Sequence, residues 1–568
     1  MSAANVSWFV VGILALGITV GCGSSSSVKP TQDGSAGDGS GTSSGGGFGD
    51  SGGSGGSGSG SGGASSDASG GGSSSSSSSS GGSGSSGGSG SGGDDGGGDA
   101  GPTVDPLCPV VVPDSACDKN QRPFVFVHGT YGSGDNFAHV AALLGSNGFC
   151  QDRIVGVEYN SLGDSPGSTC TGTNTPAGCG AIDAAISAVL ASAKDANGNP
   201  FTQVDLAGHS QGTLHCSTYL LAGTNSTKVA HYINFSGNVP VGSVQTLSLS
   251  SMHDLQNTPH HACTGTAACT ASGMPAGSTL TTVTFMDEDH FAVAASLNSF
   301  KQVYKYLAGK DPQYTTVQCG QDPVTISGVS ETFADNVPVT GKIDLHEFGA
   351  TPRMPGAPVT LNGPDSKGHF SAQVKRNVAY EFTGYDAAGK LVGYQYFTPF
   401  KRSNYLTRLL NPASSSDGTA FGGTIASLST DKVVRSVNHV AVVARWSGGA
   451  FRQDLGASLK IDGTEKMGPT EVLTDANAGK TALMNSSLAG GVVGFFMFDN
   501  NKNMMTDLGL NPAPGPFIAF TDVYMQATMP AFIQMSFTPG SEETSTTDEK
   551  ITISNWNSQD ALVSVMFQ

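Results

Sequence analysis

Between residues 120 and 320 the chain alternates short unbroken apolar runs with longer stretches rich in Ala and other small apolar residues. Beyond 320 it breaks into many short apolar or alternating runs separated by Gly, Pro and Asn. The first pattern is that of strands covered on both faces and joined by helices; the second is that of all-β modules. In the first region the runs Arg122–Tyr131, Arg153–Tyr159, Thr202–Ala207, Val229–Phe235, Val244–Leu249 and Thr279–Phe285 are expected as strands. The segments Asp135–Ser146, Ala181–Ala193 and Phe291–Leu307 are expected as helices. Strands alternating with helices indicate a mostly parallel sheet with right-handed crossovers, the α/β class. In the second region Pro338–Asp344, Ala379–Tyr385, Leu391–Phe397, Val437–Arg445, Gly494–Phe498 and Met529–Phe537 predict one or two all-β sandwich or barrel domains. The expected divisions are 102–320 for the α/β body, 321–411 for a first β domain and 412–568 for a second β-rich domain, the last boundary resting on ASSSDGTAFGG.

The amino-terminal stretch has neither pattern. Trp8–Val20 is apolar but short for a bilayer span, and it ends at Gly21-Cys22. Small residues followed by Cys resemble a bacterial lipoprotein signal over residues 1–22, with Cys22 as the lipidated first residue. Thr19 stands where Leu is usual and no Lys or Arg precedes the run, so ordinary secretion and an uncleaved anchor stay open. Residues 23–101 are nearly all Gly and Ser with scattered Asp, too poor in large apolar groups to offset the entropy of ordering. A disordered linker of that length has a mean reach of about 50 Å and would hold the body away from a surface.

Composition narrows the partners. The 568 residues carry 27 basic and 45 acidic side chains, a net charge of −18, which argues against nucleic acid and suits an exported protein. Apart from Cys22, the cysteines all lie between Cys108 and Cys319, as a disulfide-bonded domain in an oxidising compartment would have them. Cys170 with Cys179 and Cys263 with Cys269 are the easiest local pairs, and Cys216 is the candidate for the odd free thiol. No Cys or His spacing suggests zinc, and neither a metal nor another cofactor is expected.

The candidate chemistry centres on Thr202–Leu221, TQVDLAGHSQGTLHCSTYLL. An apolar strand stops at Gly208-His209-Ser210-Gln211-Gly212 and a helical segment follows at once, the strand, nucleophile, helix order of a nucleophile elbow. Ser210 is the candidate nucleophile. The run RPFVFVHGTY ends in His128-Gly129-Thr130, which puts the Thr130 N–H beside that of Gln211 as an oxyanion hole. A serine nucleophile needs a base, and His290 follows the last strand of the α/β region, late in the chain. His128, His139, His209, His215, His231, His253, His260 and His261 lack that placement or belong to turn motifs. Asp254, in the loop SSMHDLQNTP after the fifth strand, is the candidate acid; Asp287 and Asp289 compete by proximity to His290.

With these residues assembled, the chain resembles the α/β-hydrolase lipases, and more closely an archaeal and bacterial lipase group in which a compact hydrolase core precedes C-terminal β-barrel domains. The resemblance spans 120 to about 540 and rests on VFVHGTYGSGDNF, DLAGHSQG, DHFAVAASLNSF and GYQYFTPFKRSNYLTRLL. It implies carboxylic ester hydrolysis through Ser210 and His290 on a lipid or other acyl ester. One departure stands out: where the group's acid follows the strand after the elbow, this chain reads INFSGN, with Ser236 at the corresponding place. Either Asp254 takes that role or the triad is incomplete. Hydrolysis of a polymeric ester, and a surface adhesion protein built on a decayed hydrolase core, are the rival expectations.

Overall fold

The structure, a computed structural model, describes residues 107–161, 177–237, 244–252, 254, 280–333, 335–411, 433–451, 457–462, 470–473, 492–508, 518–527, 532–539 and 549–568. The lipidation expected at Cys22, the linker over 23–101, and Cys170, Cys263 and Cys269 lie outside the described residues.

Six parallel strands form the first sheet: β1 (Phe124–Val127), β2 (Ile154–Val157), β3 (Val204–His209), β4 (Val229–Phe235), β5 (Gln245–Ser251) and β6 (Leu280–Phe285), in the order β2-β1-β3-β4-β5-β6 among the described residues. Phe124 and Phe126 of β1 pack on one face with Val140 and Leu144 of α1 (Ala138–Ser146) and Phe300 and Val303 of α5 (Leu297–Ala308). Val125 and Val127 pack on the other with Ile182 and Ile186 of α2 (Ala177–Ser192) and Tyr219 of α3 (Gln211–Leu221). Burial on both faces is why β1 is apolar without alternation. The helix expected over 291–307 is broken: a four-residue turn, α4 (Ala292–Ala295), ends at Ser296. Ser296 then caps α5 by accepting from the Ser299 N–H, while its hydroxyl donates to Glu288 at 2.8 Å.

Disulfides close the body. Cys108–Cys319 ties the chain ahead of β1 to the segment after α5, and Cys117–Cys150 secures the approach to β2. Cys179 is also disulfide-bonded, and Cys216 is free and buried.

The carboxy-terminal half is built on one seven-stranded mixed sheet. It takes β8 (Ile343–Glu347), β11 (Tyr380–Tyr385) and β12 (Leu391–Phe397) from before residue 411 and β14 (Val442–Trp446), β17 (Gly494–Phe498), β18 (Ile518–Asp522) and β21 (Leu562–Phe567) from after it, in the order β18-β17-β14-β21-β12-β11-β8. The boundary expected at 411 to 412 therefore does not separate two sheets. Alternation sorts the faces. Tyr394, Tyr396, Val563, Val565, Phe495 and Met497 cover a four-stranded sheet made of β15 (Ser458–Asp462), β16 (Thr470–Leu473), β19 (Phe532–Thr538) and β20 (Glu549–Ser554). On the opposite face Phe382, Phe397 and Met566 meet Ile326, Phe370 and Leu409 from the sheet of β7 (Val324–Thr332), β9 (Leu361–Asn362), β10 (His369–Val374) and β13 (Asn404–Asn411). Further along that face Val443, Phe496, Phe498 and Phe520 close around Tyr131, which belongs to the α/β body. The aromatic stretch Tyr394 to Phe400 is thus core, with Tyr394, Tyr396, Phe397 and Phe400 all buried.

Candidate active site

The glycines of the elbow are there because nothing larger fits. A Cβ on Gly212 would overlap the carbonyl oxygens of Val127 and His128, and one on Gly208 would lie 2.9 Å from Cys216 Sγ. Between them Ser210 sits at φ 52° and ψ −120°, a conformation that costs an L-residue energy and is held here by its N–H donating to Phe235 O at 3.0 Å and its carbonyl accepting from Thr213. This strain lifts a partly exposed side chain to the carboxyl edge of the sheet. Gly129, at the end of β1, is pressed against it: a Cβ there would come within 2.7 Å of Ser210 Cβ. The next residue, Thr130, donates its hydroxyl to Gln211 Oε1 at 2.9 Å, so the two residues proposed to share an oxyanion are tied through their side chains. Among the described residues, no hydrogen bond engages the Thr130 N–H. The Gln211 N–H belongs to the first turn of α3, whose amides lack partners within the helix.

At the ends of β5 and β6 the chain brings Asp254 and His290 together. The imidazole Nδ1 lies 2.9 Å from both carboxylate oxygens, and both side chains are buried. A carboxylate accepts only, so Nδ1 carries the proton and Nε2 is the free ring nitrogen. Burial by itself would raise the Asp254 carboxyl; the bond to His290, the charge of that imidazole and a side-chain bond from Ser236 outweigh it and hold the group at about 2. Among the described residues the Ser210 hydroxyl makes no hydrogen bond to the imidazole, an open spacing that is ordinary before substrate arrives. Of the competing carboxylates, Asp289 is otherwise engaged, as is its neighbour Glu288. Asp289 accepts from the backbone N–H groups of Phe291 and Ala292, and Glu288 accepts from Ser296 and Asn298.

Residues 322–414 match the family model of the lipase C-terminal domain. The parallel sheet covered by helices on both faces gives the body before this match an α/β fold. No curated protein matches it significantly. Among solved structures it is similar to Aspergillus fumigatus lipase B, at 13% identity and a TM-score of 0.25 over 36% of this chain, and it spans 57% of that protein. It is also similar to the propeptide form of Bacillus licheniformis lipase BlEst2, at 12% identity and a TM-score of 0.23, covering 78% of this chain and 95% of that one. Phospholipase PlaB from Legionella pneumophila follows at 9% identity and a TM-score of 0.17, covering 78% and 93%.

Three residues surround the candidate site in ways that spacing did not reveal. His209, read as part of the turn, is buried and donates from Nε2 to the carbonyl of His290 at 2.7 Å. Burial, and then the neighbouring imidazole, pull it down to about 3, so it stays neutral and can be that donor. Ser236 supports Asp254 instead of replacing it. Asn336, from the lipase C-terminal domain, reaches the turn after β1, with Nδ2 at 2.9 Å from Gly132 O and 3.0 Å from Tyr159 O. The one legible signal was at Ser236, where a serine occupies the group's carboxylate position.

Proposed function

We propose that the chain is an exported serine carboxylic ester hydrolase, a lipase acting on long-chain acyl esters. The observation that carries this reading is the buried Asp254–His290 pair, to whose histidine backbone His209 is bonded, together with a serine held at positive φ as the residue after His209. In the proposed cycle the Ser210 hydroxyl attacks the ester carbonyl while His290 Nε2 takes its proton. The N–H groups of Thr130 and Gln211 hold the resulting oxyanion, and Asp254 stabilises the imidazolium without accepting its proton. His290 then protonates the departing alcohol, leaving an acyl-enzyme. Water, deprotonated by the same imidazole, releases the acid and restores the serine. Each of these steps is accounted for by side chains and backbone amides, so the scheme calls for no cofactor.

Export agrees with the disulfides, which persist in oxidising compartments. Tethering to a membrane through lipidated Cys22 belongs to the same proposal and is checked by mass spectrometry of the mature amino terminus. The decisive experiment for the chemistry is labelling with a fluorophosphonate and mapping of the modified residue, together with hydrolysis of p-nitrophenyl esters of increasing chain length. Modification of Ser210 and a preference for long acyl chains are expected. Labelling elsewhere would overturn the nucleophile, and a preference for short chains would make the protein an esterase instead of a lipase.

A further inference from the structure

We infer that the lipase C-terminal domain completes the oxyanion hole: Asn336 is a positioning residue that, from outside the α/β body, sets the turn carrying the Thr130 N–H. This rests on the hydrolase reading above. The turn after β1 is held at almost every polar atom. Tyr159 donates its hydroxyl to His128 O at 2.5 Å and stacks on the His128 ring, while His128 Nδ1 bonds Gly129 O at 2.9 Å. The Gly132 N–H also closes on Gly129 O, and the Tyr131 N–H donates to Ser161 Oγ, each at 3.0 Å. Among the described residues, the Thr130 N–H is left uncommitted in the middle of this frame.

Two of the frame's supports come from the C-terminal domain. The Asn336 amide spends its two N–H groups on Gly132 O and Tyr159 O and lies 3.3 Å from His128 Nε2, so one side chain holds the turn, the tyrosine that braces it and the histidine stacked on that tyrosine. Asn336 is buried and sits at φ 52°, a region Asn tolerates better than most residues. The second support is apolar. Tyr131, adjacent to Thr130 and itself at φ 63°, is buried among Phe333, Leu410, Val443, Phe496 and Phe498, all from the carboxy-terminal half. Two consecutive carbonyl-to-amide units near an oxyanion donor are thereby oriented by residues more than two hundred positions downstream. A donor must meet the developing charge within tenths of an ångström to be effective, and these contacts give the turn that rigidity.

The test is Asn336→Gly, which removes the amide and accepts the same backbone conformation. The wild-type and variant full chains are compared with a p-nitrophenyl ester and with an alkyl trifluoromethyl ketone, whose hydrated adduct with serine places an oxyanion in the hole. The expected result is a fall in kcat of about 10- to 100-fold with KM changed by less than about two-fold, and a matching loss of affinity for the ketone. Should Asn336→Gly not fold, Asn336→Asp is read in the same way: it is isosteric, at ease at positive φ, and has no N–H to give. Unchanged kcat, or a loss carried by KM while ketone affinity holds, overturns the inference. A wild-type chain that hydrolyses no ester and takes no fluorophosphonate at Ser210 would instead remove the hydrolase reading, and that is seen before any variant is made.

Discussion

Two buried clusters of charge, one at the ends of β5 and β6 and one where the C-terminal domain meets the α/β body, are balanced differently. At the elbow, Asp254 faces His290 and is supported by Ser236, and its carboxyl is held down at about 2. On the side of the C-terminal domain, Arg408 donates to Glu158 and lies 3.5 Å from Glu331, while Arg445 pairs with Asp135 at 2.7 Å. Three carboxylates there meet two guanidinium groups. Burial, followed by the negative charge of Glu158, pushes Glu331 well above the ordinary carboxyl range, which favours its neutral form. In the proposed cycle the first cluster's carboxylate stays charged to do chemistry; in the second, the neutral form of one carboxyl is favoured beside two salt bridges that join the α/β body to the C-terminal domain. Buried charge is thus no single signature of function.

The sharpest way to break the contrast is at the elbow. Ser210→Ala is expected to lower turnover on p-nitrophenyl esters by about 10⁵- to 10⁶-fold with the fold intact, and Asp254→Asn by about 10⁴-fold, because the amide would favour the wrong imidazole tautomer. Near-normal turnover in Asp254→Asn would move the acid elsewhere. At the second cluster the loss should appear in stability instead: Arg445→Met leaves Asp135 buried without its partner and is expected to cost about 3–5 kcal/mol in urea unfolding. A loss below about 1 kcal/mol would show that the bridge contributes nothing net.

The pH dependence should have opposite signs in the two places. The folded value of Asp254 is lowered, so its contribution is complete above the unfolded carboxyl value of about 3.9 and is lost as pH falls towards 2. Glu331 is raised, so the unfolded chain gains by ionising it, and stability falls as pH rises above about 4.3. Glu331→Gln copies the neutral form and should be more stable than the wild type at pH 8, with the difference vanishing near pH 4. Equal stability at both values would mean that Glu331 is ionised in the fold. The smallest expected change is Ser236→Ala, which removes a hydroxyl that helps hold the Asp254 carboxyl down and should lower kcat by about 10-fold.

Much of the α/β body is legible in residue order because its causes are local. Continuous apolar runs report burial on both faces, and β4 and β12 appear with the bounds their runs suggest, Val229–Phe235 and Leu391–Phe397. β7, β10 and β21 did not announce themselves, since in their mixed sheets pairing, and not their own alternation, defines them. The single helix expected after His290 is divided because Ser296 finds a cap and a Glu288 partner that its neighbours in sequence do not reveal.

By itself, then, the sequence determined the elbow and the turn after β1. Gly129, Gly208 and Gly212 stand where no side chain fits, and a sharp reversal between an apolar strand and a helix is a matter of a few adjacent dihedral angles. Tertiary structure alone decided which carboxylate meets His290, why His209 is kept neutral, and how Asn336 and Arg408 reach the α/β body from the C-terminal domain. Those contacts join residues tens to hundreds of positions apart. Asp254, Asp287 and Asp289 are chemically equal along the chain, and only the strand ends that carry them fix which one an imidazole can touch.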